Sequence, residues 1–177
     1  KGASGSPGTQ SPSFAYDVEA LLESREESQA SVTIVCSPNN PTGTSLAAAD
    51  VERLCRASDC LVVVDEAYHE FSGETVVPLL ERHPNLVVLR TFSKAMALAG
   101  LRVGYLLASP ELVREINKAR LPYNVNFFSQ MAAIAALEEK ELLVTSVRRP
   151  ANDTPSAASY AVFSLAHHWA RGPPCFC

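Results

Sequence analysis

The chain has 177 residues, of which 47% are hydrophobic, and a formal net charge of −4. This length suits a single domain of moderate size with an ordinary globular core. The slightly acidic balance gives no basic footprint for nucleic acid, and no apolar run approaches the roughly 20 residues that span a membrane. We therefore expect neither nucleic acid nor a membrane as a partner.

The first elements of the chain alternate between helical and strand patterns. Residues 17–26 have the periodicity of a helix, and β-branched residues predict a strand over 31–36. The loop at 37–45, SPNNPTGTS, contains two prolines, two asparagines and a glycine. An amphipathic helix is predicted over 46–58, with Ser45 placed to cap its N-terminus.

The same alternation continues beyond this helix. Apolar runs predict three further strands, at 60–68, 85–94 and 102–109. Near-continuous apolar runs of this kind are typical of parallel strands that are covered on both faces. Helices are predicted at 109–120 and 129–143, with Ser109 and Ser129 as their N-caps. The order of elements predicts an α/β fold in which helices flank a mostly parallel sheet.

The composition divides the chain into three segments. Residues 1–13 are polar and glycine-rich and predict a flexible lead-in, whereas residues 14–144 hold the alternating elements. Residues 145–177 have weak periodicity and several prolines, so we expect a divergent or poorly ordered segment. The chain begins with Lys1 rather than Met, which suggests a fragment, a processed product or an incomplete gene model.

The five cysteines fit no disulfide framework, because their number is odd and their spacing irregular. Cys36, Cys55 and Cys60 lie in apolar segments and are expected to be buried as small hydrophobic side chains, which favours a reducing cytoplasm. In the tail HHWARGPPCFC, Cys175 and Cys177 with two histidines offer a weaker metal-binding alternative. Paired zinc ligands are usually separated by about 2–4 residues, so we predict no metal site.

The predicted strand 31–36 and the apolar parts 60–64 and 86–90 of the next two predicted strands are each followed by polar side chains. Ligands of open α/β sheets bind beyond the carboxyl ends of the strands, so we expect these side chains to share one edge of the sheet. They are Asn40, Asp65, Tyr68, Thr91, Ser93, Lys94 and Arg102. Lys94 is the most informative, because a charged side chain at the entrance to an apolar segment either reaches solvent or performs chemistry.

This set of functional groups meets the requirements of pyridoxal phosphate. A lysine can bond covalently to the cofactor's aldehyde, and a carboxylate can keep its pyridine nitrogen protonated. A phenol and an amide can hydrogen-bond the 3-oxygen of the ring. Hydroxyl groups and a guanidinium group can hold the phosphate.

Each motif taken alone also has a simpler interpretation. DEAY could end a strand in a solvated acid, an SK pair usually lies on the surface, and PNNPTG could be only a turn. Arg102 could pair with a surface carboxylate. We interpret Glu66, His69 and Glu70 as solvated or supporting residues, and His83 as a residue of a surface loop.

Three motifs occur in order over about residues 12–144: SPNNPTG, VVVDEAYHEF and TFSKAMALAGLRVGY. In these motifs the chain resembles the class I and II aminotransferases of fold type I, and it is most similar to their histidinol-phosphate aminotransferase branch. The resemblance implies part of the large, cofactor-binding domain of such an enzyme. It also implies pyridoxal 5'-phosphate as the cofactor and a homodimer when the protein is intact.

The resemblance implies a role for each residue of the set. Lys94 matches the Schiff-base lysine, and Asp65 matches the partner of the pyridine nitrogen. Asn40 and Tyr68 match the partners of the 3-oxygen, so Lys94, Asp65 and Tyr68 are expected to take part in catalysis. The remaining matches are phosphate binders, namely Thr91, Ser93 and Arg102.

Other features of the family have no visible counterpart. Its glycine-rich phosphate loop and its ring-stacking aromatic residue come before the strand that matches 31–36, and GASGSPG at 2–8 does not match the loop. Its small domain, which carries the arginine for the substrate carboxylate, would follow residue 144. We therefore expect this chain to be incomplete, with half of the cofactor set present.

The implied reaction transfers an amino group between glutamate and imidazole-acetol phosphate, or histidinol phosphate in the reverse direction, in histidine biosynthesis. Its partners are small amino acids and keto acids. Two alternatives stay open. The chain could be a non-catalytic truncated remnant, or it could belong to a related pyridoxal-phosphate enzyme such as a phospho-amino-acid decarboxylase.

Overall fold

The computed structural model describes residues 14–57, 59–122 and 124–139. Its one sheet has the order β1-β2-β3-β4, from β1 (Val32–Cys36), β2 (Leu61–Asp65), β3 (Leu86–Thr91) and β4 (Gly104–Ala108). The first three strands are parallel to one another, and β4 is antiparallel to β3. The predicted α/β fold with a mostly parallel sheet is confirmed.

Five α-helices accompany the sheet in the described ranges: α1 (Val18–Ser28), α2 (Ala48–Arg56), α3 (His69–Ser72), α4 (Pro110–Lys118) and α5 (Phe127–Glu138). Short 3-10 turns lie at Val77–Glu81 and Ala99–Leu101. Helix α4 begins as predicted, because the Ser109 side chain accepts from the backbone N–H of Leu112 and Pro110 stands at the first helical position.

Two of the predicted helix caps are wrong. Helix α2 begins at Ala48 after Ala47, not after Ser45, because Leu46 is buried in an extended segment and its N–H donates to Ser37 Oγ at 2.8 Å. Helix α5 begins two residues before Ser129. Asn126 is its N-cap, and the Asn126 side chain accepts from the N–H of Ser129 at 2.9 Å.

The main hydrophobic core lies on one face of the sheet. Val62 and Val64 of β2 are fully buried and belong to one cluster with Val51 and Leu54 of α2. A smaller cluster surrounds Phe92. The other residues of β2 are only partly buried, so in the described ranges one face of this strand is fully covered rather than both, as the apolar run suggested.

The three cysteines of the sheet region differ in burial. Cys55 is buried, as predicted, whereas Cys36 and Cys60 are partly exposed. Nowhere in residues 14–57, 59–122 and 124–139 is a helix long and apolar enough to cross a bilayer. The predicted lead-in at 1–13 and the segment 145–177, with its candidate metal ligands, lie outside the described residues.

Candidate functional site

The site lies at the edge of the sheet where the three parallel strands end. Asp65 is the last residue of β2 and Thr91 the last residue of β3, and Asn40 follows the end of β1 by four residues. Parallel strands place their carboxyl ends at one edge. The alternation of strands and helices therefore brings the three predicted motifs together.

The loop after β1 has its own internal support. The N–H of Gly43 donates to the Asn39 carbonyl at 2.7 Å, and the N–H of Asn39 donates to the Thr44 carbonyl at 2.8 Å. Gly43 has a φ of +70°, a left-handed conformation that favours glycine. The turn thus holds Asn40 at its exposed tip.

Three of the predicted residues form a connected group. The Asn40 side-chain amide donates to the Tyr68 hydroxyl at 2.7 Å. The Lys94 ammonium nitrogen lies 5.4 Å from the centre of the Tyr68 ring, within the range of a cation–π contact. Tyr68 therefore stands between the amide from the β1 loop and the lysine from the β3 loop.

Asp65 joins the same group through its charge. Its Oδ1 accepts from the Ala67 N–H at 3.0 Å. Burial raises the pKa of Asp65 above its usual value, while that N–H and the nearby Lys94 charge act in the opposite direction. Cys36 is the register partner of Asp65 on β1, and burial together with the Asp65 charge raises the pKa of its thiol.

Two of the three predicted phosphate binders, Thr91 and Ser93, lie together at the end of β3 and in the loop that follows it. Thr91 Oγ1 accepts from the Ser93 N–H at 3.1 Å and donates to the Val103 carbonyl at 3.4 Å. Arg102 is exposed, ends the turn Ala99–Leu101 in a left-handed conformation, and donates to the Ala99 carbonyl at 3.0 Å. Thr91 and Ser93 are thus in direct contact, whereas a shared task with Arg102 stays a prediction.

Sequence reasoning missed a buried charged pair behind the site. Of the two interpretations of Glu66, solvated or supporting, the first is wrong: Glu66 is 2% exposed and accepts from Arg90 Nε at 3.0 Å and Nη2 at 2.8 Å. Burial lowers the pKa of Arg90, but the Glu66 carboxylate and the Tyr105 hydroxyl raise it, and the net shift is upward. The signal was available, because a charged residue beside an apolar strand requires a partner.

The expectation for His83 is also corrected. Its side chain is buried instead of lying on a surface loop, and its Nε2 lies 3.4 Å from Glu52 Oε1. His69 is half-buried, and its Nδ1 lies 3.1 Å from Glu70 Oε2. Among the described residues, no three His, Cys, Asp or Glu side chains are arranged to hold a metal ion.

A concave region lies at the end of the strands opposite to Lys94. This open cleft of about 490 Å³ is bordered by Ser31 before β1, Cys60 before β2, and Arg25 near the end of α1. Arg25 donates to the Ala57 carbonyl at 3.1 Å, which ties α1 to the residue after α2. The cleft therefore contributes nothing to the edge that carries Lys94.

The family model for aminotransferase class I and II matches residues 6–153 of the chain. A relative from Desulfitobacterium hafniense (strain DSM 10664 / DCB-2), a histidinol-phosphate aminotransferase, is 42% identical over 158 residues. That match covers 85% of this chain and 44% of the relative, so the chain spans less than half the length of the relative.

Solved structures show the same likeness. The histidinol-phosphate aminotransferase of Sinorhizobium meliloti, in complex with pyridoxal-5'-phosphate, has a TM-score of 0.69 and 32% identity, covering 77% of this chain and 38% of its own. The L-threonine-O-3-phosphate decarboxylase of Porphyromonas gingivalis has a TM-score of 0.60 and 29% identity, covering 66% and 37%. The fold expected from the sequence motifs is thereby confirmed.

Proposed function

The chain belongs to the class I and II aminotransferases, and from this membership we propose that its sheet edge forms part of a pyridoxal-phosphate site for amino transfer. The observation that carries the proposal is the connected group of Asn40, Tyr68 and Lys94 beside the partly buried carboxyl of Asp65. Three separate segments of the chain supply these groups at one edge, where α/β enzymes bind their ligands.

The donor set fits the cofactor group by group. Lys94 offers a primary amine for the aldehyde, and Asp65 offers a carboxylate for the pyridine nitrogen. Tyr68 and Asn40 offer a phenol and an amide for the 3-oxygen. The hydroxyls of Thr91 and Ser93 and the guanidinium of Arg102 are suited to the phosphate.

When bound, pyridoxal phosphate supplies an electron sink for negative charge that develops at the α-carbon of an amino acid. The residues of this chain would supply positioning and proton transfer. Asp65 would keep the ring nitrogen protonated. Lys94 would act as the base that removes the proton from the substrate α-carbon, and Tyr68 would orient the Lys94 nitrogen through its ring.

For the substrate we propose imidazole-acetol phosphate, with glutamate as the amino donor and histidinol phosphate as the product, in histidine biosynthesis. The support is the 42% identity with a histidinol-phosphate aminotransferase. The structural likeness to a threonine-phosphate decarboxylase favours a second candidate, the decarboxylation of a phosphorylated amino acid.

We further propose that the intact protein is a cytoplasmic homodimer. Supporting this are exposed apolar side chains at and before the start of α5, including Leu121, Phe127 and Phe128, of which Phe128 is 80% exposed. Exposed apolar groups of this kind often mark a protein interface. Light scattering on the protein as isolated should give the mass of two chains, and a single-chain mass at micromolar concentration would contradict the assembly.

The test of the cofactor site compares two lysines. We would incubate the chain with pyridoxal phosphate, reduce with borohydride, and locate the pyridoxyl group by peptide mass spectrometry. Lys94 should be labelled in preference to Lys118, an exposed residue of α4 that pairs with Glu115. Lys94→Ala should lose the preferred label and Lys118→Ala should keep it. Equal labelling of both lysines would refute the assigned site.

The reaction is tested in a full-length context. Residues 14–139 would replace the matching segment of the Desulfitobacterium hafniense relative, and the chimaera would be assayed with both candidate substrates. We expect glutamate-dependent amino transfer to imidazole-acetol phosphate, without release of carbon dioxide from threonine O-phosphate. The reverse pattern would favour the decarboxylase, and a chimaera carrying Lys94→Ala is the matched inactive control.

A further inference from the structure

A buried charged pair lies behind the proposed site. The Glu66 carboxylate accepts from Arg90 at 2.8 and 3.0 Å, from the Thr75 hydroxyl at 2.9 Å and from the Val76 N–H at 2.6 Å. The Thr75 hydroxyl also accepts from Arg90 Nη2 at 2.8 Å. Every partner is a directional donor, so the geometry of this cluster is more narrowly defined than that of an apolar contact.

The cluster lies on the face of the sheet opposite to Asp65. The N–H of Glu66 donates to the Leu89 carbonyl at 2.9 Å, so the β2–β3 ladder continues one residue beyond Asp65. Successive side chains of a strand point to opposite faces, so Asp65 and Glu66 diverge, as do Arg90 and Thr91. The side chains of Glu66 and Arg90 thus meet on one face of the sheet, whereas those of their neighbours Asp65 and Thr91 point to the opposite face.

Glu66 also closes the segment that carries Tyr68. The chain runs from Glu66 through Tyr68 and the four-residue helix α3, then returns at Thr75 and Val76 to the same carboxylate. Gly73, with a φ of +74°, ends α3 and allows the return. The segment that carries Tyr68 therefore begins at Glu66 and returns to the Glu66 carboxylate at Thr75 and Val76.

Arg90 has the corresponding place in the next strand. It immediately precedes Thr91 in β3, and the loop after Thr91 carries Ser93 and Lys94. The ion pair therefore links the start of the segment that carries Tyr68 to the start of the segment that carries Lys94. Further along these segments, Lys94 Nζ lies 5.4 Å from the centre of the Tyr68 ring. Neither Glu66 nor Arg90 is among the groups assigned to the cofactor.

We propose that Glu66, paired with Arg90, is a positioning residue that fixes the Tyr68 segment relative to the Lys94 segment. This inference rests on the proposed function, since it concerns the reactivity of Lys94. The charged, multiply hydrogen-bonded pair sets both distance and direction between the two strand ends. Apolar side chains of the same volume would fill the space but would allow the segments to shift.

The first readout is the selectivity of pyridoxyl labelling, measured well below the unfolding temperature. Glu66→Gln keeps the volume and an acceptor for Val76 but removes the charge, and should lower Lys94 labelling about tenfold to a hundredfold, as expected for a displacement of about 1 Å. Labelling of Lys118 should not change. Arg90→Lys keeps the positive charge but cannot donate two parallel hydrogen bonds to Glu66. Its Lys94 labelling should lie between that of Glu66→Gln and that of the parent. Glu111→Gln, which breaks an exposed pair with Arg114, is the matched control.

A purely structural role would lower the unfolding temperature and leave the Lys94 to Lys118 labelling ratio unchanged; that result would overturn the proposal. If the parent chain shows no Lys94 preference, the proposed function fails instead, and amide hydrogen exchange decides the positioning role. Faster exchange in both 67–76 and 91–95, with β1 unchanged, would support it. Faster exchange in only one of these segments, or uniformly, would refute it. Arg90→Lys serves for both measurements should Glu66→Gln not fold.

Discussion

The stability of the Glu66–Arg90 pair can be tested by a double-mutant cycle. Glu66 is 2% exposed and the Arg90 side chain 16% exposed, so removing either partner leaves a charge that water reaches poorly. Removing one member of a buried pair typically costs 3–5 kcal/mol of unfolding free energy. Since Arg90 keeps some contact with solvent, we expect the lower end of this range, about 3 kcal/mol, for Glu66→Gln and for Arg90→Met.

The double variant should cost no more than the worse single variant, because the second substitution removes the charge that the first left unpaired. The cost of the double variant should therefore fall at least about 3 kcal/mol below the sum of the two single costs. The assay is urea unfolding followed by circular dichroism, with the slope m compared across variants to confirm that one transition is measured.

The control for this cycle is an exposed ion pair. Arg114 and Glu111 are 68% and 72% exposed and pair at 2.9 Å, so Arg114→Met should change stability by less than about 1 kcal/mol. Additive costs for Glu66→Gln and Arg90→Met, or single costs as small as that of the control, would show that the pair is not energetically coupled.

Three further predictions follow from burial and charge. Burial raises the pKa of Asp65, so folding favours the protonated carboxyl, and stability falls as the pH rises above 3.8, the ordinary pKa of an aspartate. Asp65→Asn should therefore be at least as stable as the parent at neutral pH, and the two urea midpoints should converge in acid. In the chimaera the same substitution should abolish turnover. Burial raises the pKa of Cys55 to about 11, so about one thiol in a thousand is ionised near pH 8 and iodoacetamide should label it only on unfolding; rapid labelling of the folded chain would contradict its burial. Leu86 is 0% exposed, so Leu86→Ala should lower the unfolding free energy by about 2–5 kcal/mol in the same urea assay, and a loss below about 1 kcal/mol would argue against a packed core there.

Local sequence patterns predicted most of the elements of the sheet. The runs that contain β1, β2 and β3 are rich in β-branched residues, which are stiff at χ1 and fit a pleated, buried surface. The parallel arrangement follows from their alternation with helices. The two misplaced caps, Ser45 and Ser129, show the limit of this reasoning. A serine near a helix start can cap it only if the backbone turns there, and burial of Leu46 keeps the chain extended beyond Ser45.

The residue types of the candidate site could likewise be predicted from the sequence, because each polar residue lies at the end of an apolar strand or in the loop that follows it. Which of these residues touch one another was decided by the tertiary structure. The contact of Tyr68 with both Asn40 and Lys94 joins residues 28 and 26 positions apart, and no local pattern encodes such a distance.

The sequence alone determined that a lysine, a carboxylate, a phenol and an amide stand where strands end. It did not determine that Glu66 would turn away from Asp65 and meet Arg90 on the other face of the sheet. That pairing depends on the register of β2 against β3, which places Asp65 beside Leu89 and hence Glu66 beside Arg90. Register is a property of two segments packed together, since it is set by the whole buried face and not by any one residue. The Glu66–Arg90 pair that lies behind the site could therefore be identified only from the folded chain.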